Sequence, residues 1–261
     1  MKRALFIVMV ALNCIAINGQ SSNVSAEKNV NWNDSIAYYT EQARWGNPEA
    51  YLQLAHCYHQ GEKNVERCFY KMGEAGTMAQ NFGLIENSND VFTSLPDDDP
   101  IKVVYDVMHL LQMRDYEGIL SNLHKLEDVG FPKQLAEAFV AWHKGEKQEA
   151  ISILQLIAED SYIANITVPL FTGDSMNEDV AEEFPFVYNE LARDSFVSES
   201  SPEEDEKAAM YYRKADAHAA LDKTGVRWLI SYYEKLSEKG LQDIDPKEIE
   251  RLKKLDRLMK E

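Results

Sequence analysis

The sequence predicts an all-helical protein, an α-solenoid of stacked antiparallel helical hairpins. Three observations lead to this prediction: prolines preceded by helix-capping residues, apolar residues at helical spacing, and a pattern that recurs along the chain. No series of short strands and turns competes with these signals. The apolar fraction of 45% is typical of a folded chain rather than a disordered one.

Proline pairs mark several helix starts. Each pair joins Asn, Asp or Ser, which cap helices, to a proline, which is tolerated at the first helical position. The four pairs are Asn47-Pro48, Asp99-Pro100, Ser201-Pro202 and Asp245-Pro246. Ser201 and Glu204 also have the spacing of a capping box.

The apolar periodicity then predicts the helices in order. They are expected near 34–45, 48–59, 65–75, 100–113, 116–128, 132–143, 147–159, 178–193, 203–220, 225–238 and 246–259. Two stretches rich in polar and acidic residues, 86–99 and 194–201, are expected to be irregular loops.

The N-terminus has the order of a secretory signal peptide. Lys2 and Arg3 precede an apolar stretch that begins at Ala4, and small residues follow up to Ala26. We therefore expect residues 1–26 to be removed and the protein to be exported, to the periplasm or outside the cell. The apolar stretch is short for a membrane span, and no later segment comes close, so the mature chain is expected to have no transmembrane segment.

Two alternatives remain open at this terminus. Cleavage after Gly19 would also leave a small residue at the processing site. Cys14 allows a lipoprotein, although the residues before it match a lipobox poorly.

The cysteines suggest a disulfide. Cys57 and Cys68 are the two that would remain after processing. In an oxidising compartment such a pair favours a disulfide, and the alternative is two buried free thiols.

The charge of the chain excludes one class of partner. Its 44 acidic residues outnumber 27 basic ones, and the formal net charge is −17. Such a surface repels nucleic acid, because binding to nucleic acid depends on neutralising phosphates with Lys and Arg.

One pattern recurs along the chain, with small residues where helices would cross and large ones between hairpins. The first copy consists of Tyr39, Ala43, Gly46, Ala50, Leu54, Tyr58 and Gly61. The second consists of Ala208, Tyr212, Ala215, Leu229 and Tyr233, with Ala219 in place of the first copy's Gly46.

These residues resemble the Sel-1-like repeat, a relative of the tetratricopeptide repeat. Gly145, Ala150 and Leu154 are similar to an ordinary tetratricopeptide hairpin. The resemblance implies one helical-repeat domain over 27–261, with its clearest repeats at 34–76, 116–160 and 203–240. It also implies an adaptor or scaffold that binds a protein or peptide, and does not identify the groove, the partner or the oligomeric state.

Motifs for chemistry are weak. His56 and His59 lie one helical turn apart, but no third ligand accompanies them at metal-binding spacing. We therefore assign no catalytic, cofactor-binding or metal-binding residue and expect a protein that is not an enzyme. The alternatives are an exported enzyme or carbohydrate binder on a helical scaffold, and a purely structural envelope protein.

Overall fold

The computed structural model describes residues 32–61, 68–157, 168, 178–183, 185–195, 201–240 and 244–260. The described residues form helices joined by turns, which confirms the predicted all-α class. The predicted signal peptide, including Cys14 and both cleavage positions, lies outside the described residues. Within the described part, no helix is long and apolar enough to cross a membrane.

In the part of the chain that the structure describes, nine helices precede residue 158. They are α1 (Trp32–Arg44), α2 (Glu49–Gln60), α3 (Phe69–Asn81), α4 (Asp90–Thr93), α5 (Pro100–Gln112), α6 (Tyr116–Ser121), α7 (Leu123–Asp128), α8 (Lys133–Lys144) and α9 (Lys147–Ile157). Five more are described after it. They are α10 (Glu178–Glu183), α11 (Val187–Ser195), α12 (Pro202–Ala217), α13 (Lys223–Glu238) and α14 (Pro246–Leu258).

The predicted caps are formed at three of the proline pairs. The side chains of Asp99, Ser201 and Asp245 each accept a hydrogen bond from a backbone N–H in the first turn of α5, α12 and α14. The capping box of Ser201 and Glu204 is complete, because each side chain bonds the backbone of the other residue.

The structure corrects three predicted helix boundaries. The third helix was expected to end by Gly76, but Gly76 lies inside α3, and the left-handed residue that ends this helix is Gly83 (φ +75°). The segment 178–193 forms two helices rather than one, because Pro185 lacks an N–H and disfavours helical backbone before it. The segment 116–128 is also divided into two helices, at Asn122. The side-chain amide of Asn122 donates a hydrogen bond to the Gly118 carbonyl and so competes with the backbone N–H groups of a continuous helix.

The two expected loops also differ in part. The stretch 86–99 contains the single helical turn α4, whose Phe92 is buried. In the stretch 194–201, α11 continues to Ser195 and Ser201 caps α12, while 196–200 lie outside the described residues.

The chain divides into two compact units that are interleaved in sequence. Unit 1 contains Ala55–Gly73 and Asn89–Ser175, and unit 2 contains Asp34–Leu54, Glu74–Ser88 and Met176–Glu261.

Unit 1 is built around the hairpin of α8 and α9, on which α5, α6 and α7 pack. Its core includes the buried residues Ile101, Ile119, Leu126, Leu135, Phe139 and Leu154. A second apolar group joins Phe69, Phe92 and Tyr105, whose ring centroids are 4.4 Å (Phe69–Phe92) and 5.0 Å (Phe92–Tyr105) apart.

In unit 2, α11 packs on α12, α12 on α13, and α13 on α14. Tyr188, Tyr212, Leu229 and Leu252 are its largest fully buried side chains. Short connections join α8 to α9 in unit 1, at 145–146, and α12 to α13 in unit 2, at 218–222.

Candidate functional site

The residues of the recurring pattern are largely buried. Nine of them are in the core: Ala43, Ala50, Leu54, Ala208, Tyr212, Ala215, Ala219, Leu229 and Tyr233. Tyr39 and Tyr58 are half-buried, whereas Gly46 and Gly61 have positive φ values at helix ends. Burial of this kind is what a packing role requires, and it leaves these residues unavailable for binding a ligand.

No disulfide joins Cys57 and Cys68 in the structure, so the bridge predicted from the sequence is not formed there. Cys57 is buried, and burial raises the pKa of its thiol to about 11. Because the thiolate is the species that forms a disulfide, a buried protonated thiol reacts slowly. The alternative drawn from the sequence was two buried thiols, and Cys68 is only half-buried.

The two histidines near Cys57 do not converge on one point. His56 is exposed, whereas His59 Nε2 lies 2.9 Å from Asp99 Oδ2. Asp99 Oδ1 meanwhile accepts from the Ile101 N–H at 2.9 Å, so one carboxylate both caps α5 and contacts His59.

A shallow depression, open to solvent, lies on one side of α12 in unit 2. It has a volume of about 490 Å³ and is lined by Glu206, Lys207, Met210, Arg213, Lys214 and Ala217, which we call the α12 groove. Met210 is 36% exposed and is the large apolar side chain of this lining. The groove therefore presents an apolar position bordered by long charged side chains.

Ion pairs hold the charged side chains at one edge of this groove. Arg213 Nη2 lies 2.5 Å from Glu206 Oε1, and the Tyr232 hydroxyl donates to the other oxygen of Glu206 at 2.5 Å. The Tyr232 hydrogen bond lowers the pKa of Glu206, and Arg213 adds to this effect. Glu206 is thus an ionised carboxylate fixed between α12 and α13.

Lys214 is held in a similar way by α10. Its Nζ lies 3.3 Å from Glu178 Oε2 and 3.2 Å from Glu182 Oε1, and 5.0 Å from the ring centroid of Tyr188. The hydroxyls of Tyr211 and Tyr188 donate to the same two carboxylates. Hydrogen bonds from these tyrosines and from Lys214 lower the pKa of both glutamates.

This arrangement has the properties of a preformed surface. Side chains that are already held in one conformation lose little freedom when a partner binds. The recurring pattern predicted the packing residues around it, but Met210 carries no signal in the sequence. Its exposure becomes visible only in the structure.

Comparison with protein-family models, curated proteins and solved structures finds no significant match to this chain.

Proposed function

We propose that the protein is a helical-repeat adaptor or scaffold that binds a segment of a protein partner in the α12 groove. The observation that carries the proposal is the exposed Met210, bordered by charged side chains that are already fixed. An apolar anchor with a polar rim is the usual composition of a protein-binding surface. An amphipathic peptide segment, with an apolar residue over Met210, is the occupant that fits this composition.

The recurring pattern supports the finer part of the proposal, a solenoid of Sel-1-like or tetratricopeptide-like hairpins. The residues that end α1 and α12, Gly46 and Ala219, occupy equivalent places in the two copies and share a left-handed backbone. Tyr212 and Leu229 are buried, as the pattern requires of large residues between hairpins. Export of the protein, inferred from residues 1–26, would place this activity in the cell envelope or outside the cell.

A peptide library tests the groove. Peptides selected on the immobilised wild-type protein should lose most of their binding to Met210→Glu, because a carboxylate would replace the apolar anchor. Met113→Glu is the matched control, since Met113 is an exposed methionine (68%) in unit 1. Binding that survives Met210→Glu would show that the α12 groove is not the site.

A second assay addresses the alternative of an exported enzyme. A panel of hydrolase substrates from the cell envelope, tested on the metal-replete protein, should show no turnover if the protein acts only by binding. Turnover that is lost when His59 or Asp99 is replaced would show that the protein is an enzyme rather than an adaptor. These two side chains form a histidine–carboxylate pair in unit 1, which is suited to acid–base chemistry.

A further inference from the structure

The methionines in the described part of the chain fall into two groups. Four of them are at most 5% exposed, namely Met72, Met78, Met108 and Met259. The other two are accessible to solvent, because Met210 is 36% exposed and Met113 is 68% exposed. A small oxidant in solution therefore reaches the side chains of Met210 and Met113 and is kept away from the other four.

Oxidation would change what Met210 offers to a partner. Hydrogen peroxide transfers one oxygen atom to a thioether: the sulfur attacks one peroxide oxygen, the O–O bond breaks, and the other oxygen leaves as water with both protons. The sulfur loses two electrons and the peroxide gains them. The product, methionine sulfoxide, is polar and chiral, whereas methionine is apolar. Because Met210 is the large apolar side chain of the α12 groove, this single step removes the apolar anchor.

The charged neighbours of Met210 include a donor for the sulfoxide. Four charged side chains of the groove lie three or four positions from Met210, where residues of a helix are neighbours: Glu206, Lys207, Arg213 and Lys214. Three of them are held in ion pairs, with each other or with α10. Lys207 makes no ion pair with any residue that the structure describes, and its Nζ lies 6.0 Å from the ring centroid of Tyr211. A thioether sulfur is a weak acceptor and a sulfoxide oxygen a better one, so Lys207 is the donor that would hold the oxidised side chain among the polar groups.

We propose that Met210 is a site of reversible oxidation, and that its sulfoxide stops the α12 groove from binding an apolar residue of a partner. Methionine sulfoxide reductases, one for each sulfoxide epimer, would restore the thioether with electrons from thiols. This regulatory consequence rests on the peptide binding proposed above, whereas the oxidation of Met210 does not. Met113 is oxidised as well, but it belongs to unit 1 and does not line the groove.

The oxidation is tested first, without a partner. The full-length protein is treated briefly with dilute hydrogen peroxide, and mass spectrometry of its proteolytic peptides follows the added oxygen at each methionine. We expect Met210 and Met113 to react at least about tenfold faster than the four buried methionines, because a buried sulfur reacts only when the chain opens around it. Equal rates at Met210 and at the four buried methionines would overturn the proposal.

The regulatory consequence is tested with peptides selected on the unoxidised wild-type protein. Their affinity should fall about tenfold after peroxide treatment and recover after treatment with both reductases. Met113→Leu should lose affinity to the same extent on oxidation, since its groove still contains Met210. Met210→Leu has an apolar side chain that peroxide does not modify, so the affinity of this variant should be the same before and after treatment.

Two results would contradict the regulatory consequence. One is an unchanged affinity of wild-type protein that is fully oxidised at Met210. The other is an equal loss in Met210→Leu, because another methionine would then be responsible. If the same peptides nevertheless fail to bind Met210→Glu, the α12 groove remains the binding site and only its control by oxidation is refuted. Peptides that bind Met210→Glu as tightly as wild type would refute the groove and its control together.

Discussion

Two helix ends in unit 2 show how one residue decides whether a left-handed turn is costly. At the end of α1, Gly46 takes φ +76°, and the next N–H, of Asn47, donates to the Gln42 carbonyl. At the end of α12, Ala219 takes φ +56°, and Ala220 N–H donates to the Ala215 carbonyl. The backbone bonds are the same, but alanine has a Cβ that disfavours this conformation.

Exchanging these residues should therefore have opposite effects. Ala219→Gly is expected to stabilise the protein by about 0.5–1 kcal/mol, because relief of strain exceeds the added freedom of the unfolded chain. Gly46→Ala should destabilise it by about 1–2 kcal/mol, since the new Cβ would also lie 3.2 Å from Leu258 Cδ1. Urea titrations of both variants would measure the two changes, and effects of the same sign would contradict the argument.

Two buried tyrosines differ in whether their hydroxyl is satisfied. The Tyr51 hydroxyl donates to the Ala219 carbonyl at 3.1 Å. Among the described residues, the buried Tyr212 hydroxyl makes no hydrogen bond of regular geometry. Burial raises its pKa to about 12, and a looser contact with the Arg193 guanidinium acts in the opposite direction.

Removing these hydroxyls should have unequal consequences. Tyr51→Phe is expected to cost about 1–2 kcal/mol, because it leaves a buried carbonyl without its donor. Tyr212→Phe should be neutral or stabilising by up to about 1 kcal/mol, because it removes an unsatisfied polar atom. Thermal unfolding of the two variants under one buffer condition tests this, and an equal loss in both would mean that Tyr212 finds a partner in solution.

At the scale of elements, a buried ionic network joins α1, α12 and α14. Asp216 Oδ2 lies 3.0 Å from Arg44 Nη2 and 2.8 Å from Arg251 Nη2. Arg251 also pairs with Glu248 at 2.6 Å and donates to the Arg44 carbonyl at 2.7 Å. Burial raises the pKa of Asp216, an effect that Arg251 and Arg44 oppose. The Arg251 side chain is only 1% exposed, so its charge depends on these partners for solvation.

Breaking this network should be costly. Arg251→Met is expected to lose about 3–5 kcal/mol, since it leaves the buried Asp216 with one partner fewer and frees the end of α1. Lys253→Met, which breaks the exposed pair of Lys253 with Glu234, should lose less than about 1 kcal/mol. Chemical unfolding measures both. If Arg251→Met lost no more than Lys253→Met, the network would contribute specificity rather than stability.

The attachment of α10 to α12 should depend on pH. Glu178 and Glu182 have pKa values below their usual range, because hydrogen bonds from Tyr211, Tyr188 and Lys214 favour the ionised form. The pKa of each glutamate is lower in the folded protein than in the unfolded chain. Its contribution to stability is therefore complete at a pH above the unfolded-state pKa, and it is lost as the pH falls through the folded-state pKa. Hydrogen exchange at 178–183 should speed up at acid pH beyond its intrinsic change, and Lys214→Met should already show fast exchange at neutral pH. Unchanged protection in acid would mean that packing alone holds α10.

The sequence predicted which helices form better than it predicted where they end and which of their faces are exposed. The proline caps at Asp99 and Ser201 were visible because local chemistry alone specifies them. The prediction that a helix ends at Gly76 was wrong. A glycine can end a helix or lie buried within it, and only packing decides between the two. The α12 groove could not be predicted, because Glu178 and Tyr232, which hold its charged side chains in place, lie on other helices.

At the scale of the whole molecule, the excess of acidic groups works against folding. The formal net charge is −17, and the compact state holds these charges closer together than the unfolded chain does. The ion pairs oppose this repulsion, but most of them involve at least one exposed side chain and are individually weak. Long-range repulsion between acidic groups should therefore depend on salt more strongly, in its effect on stability, than the attraction within the ion pairs does.

Added salt is then expected to stabilise the protein. Raising NaCl from about 10 mM to about 200 mM shortens the screening length and should raise the melting temperature by roughly 2–5 °C. Three exposed acidic residues that make no described ion pair, Glu86, Asp97 and Asp98, offer a control. Their combined replacement by Gln, Asn and Asn should raise the melting temperature at low salt and reduce its dependence on NaCl. A melting temperature that falls with added salt would show instead that the attraction within the ion pairs outweighs the repulsion between acidic groups.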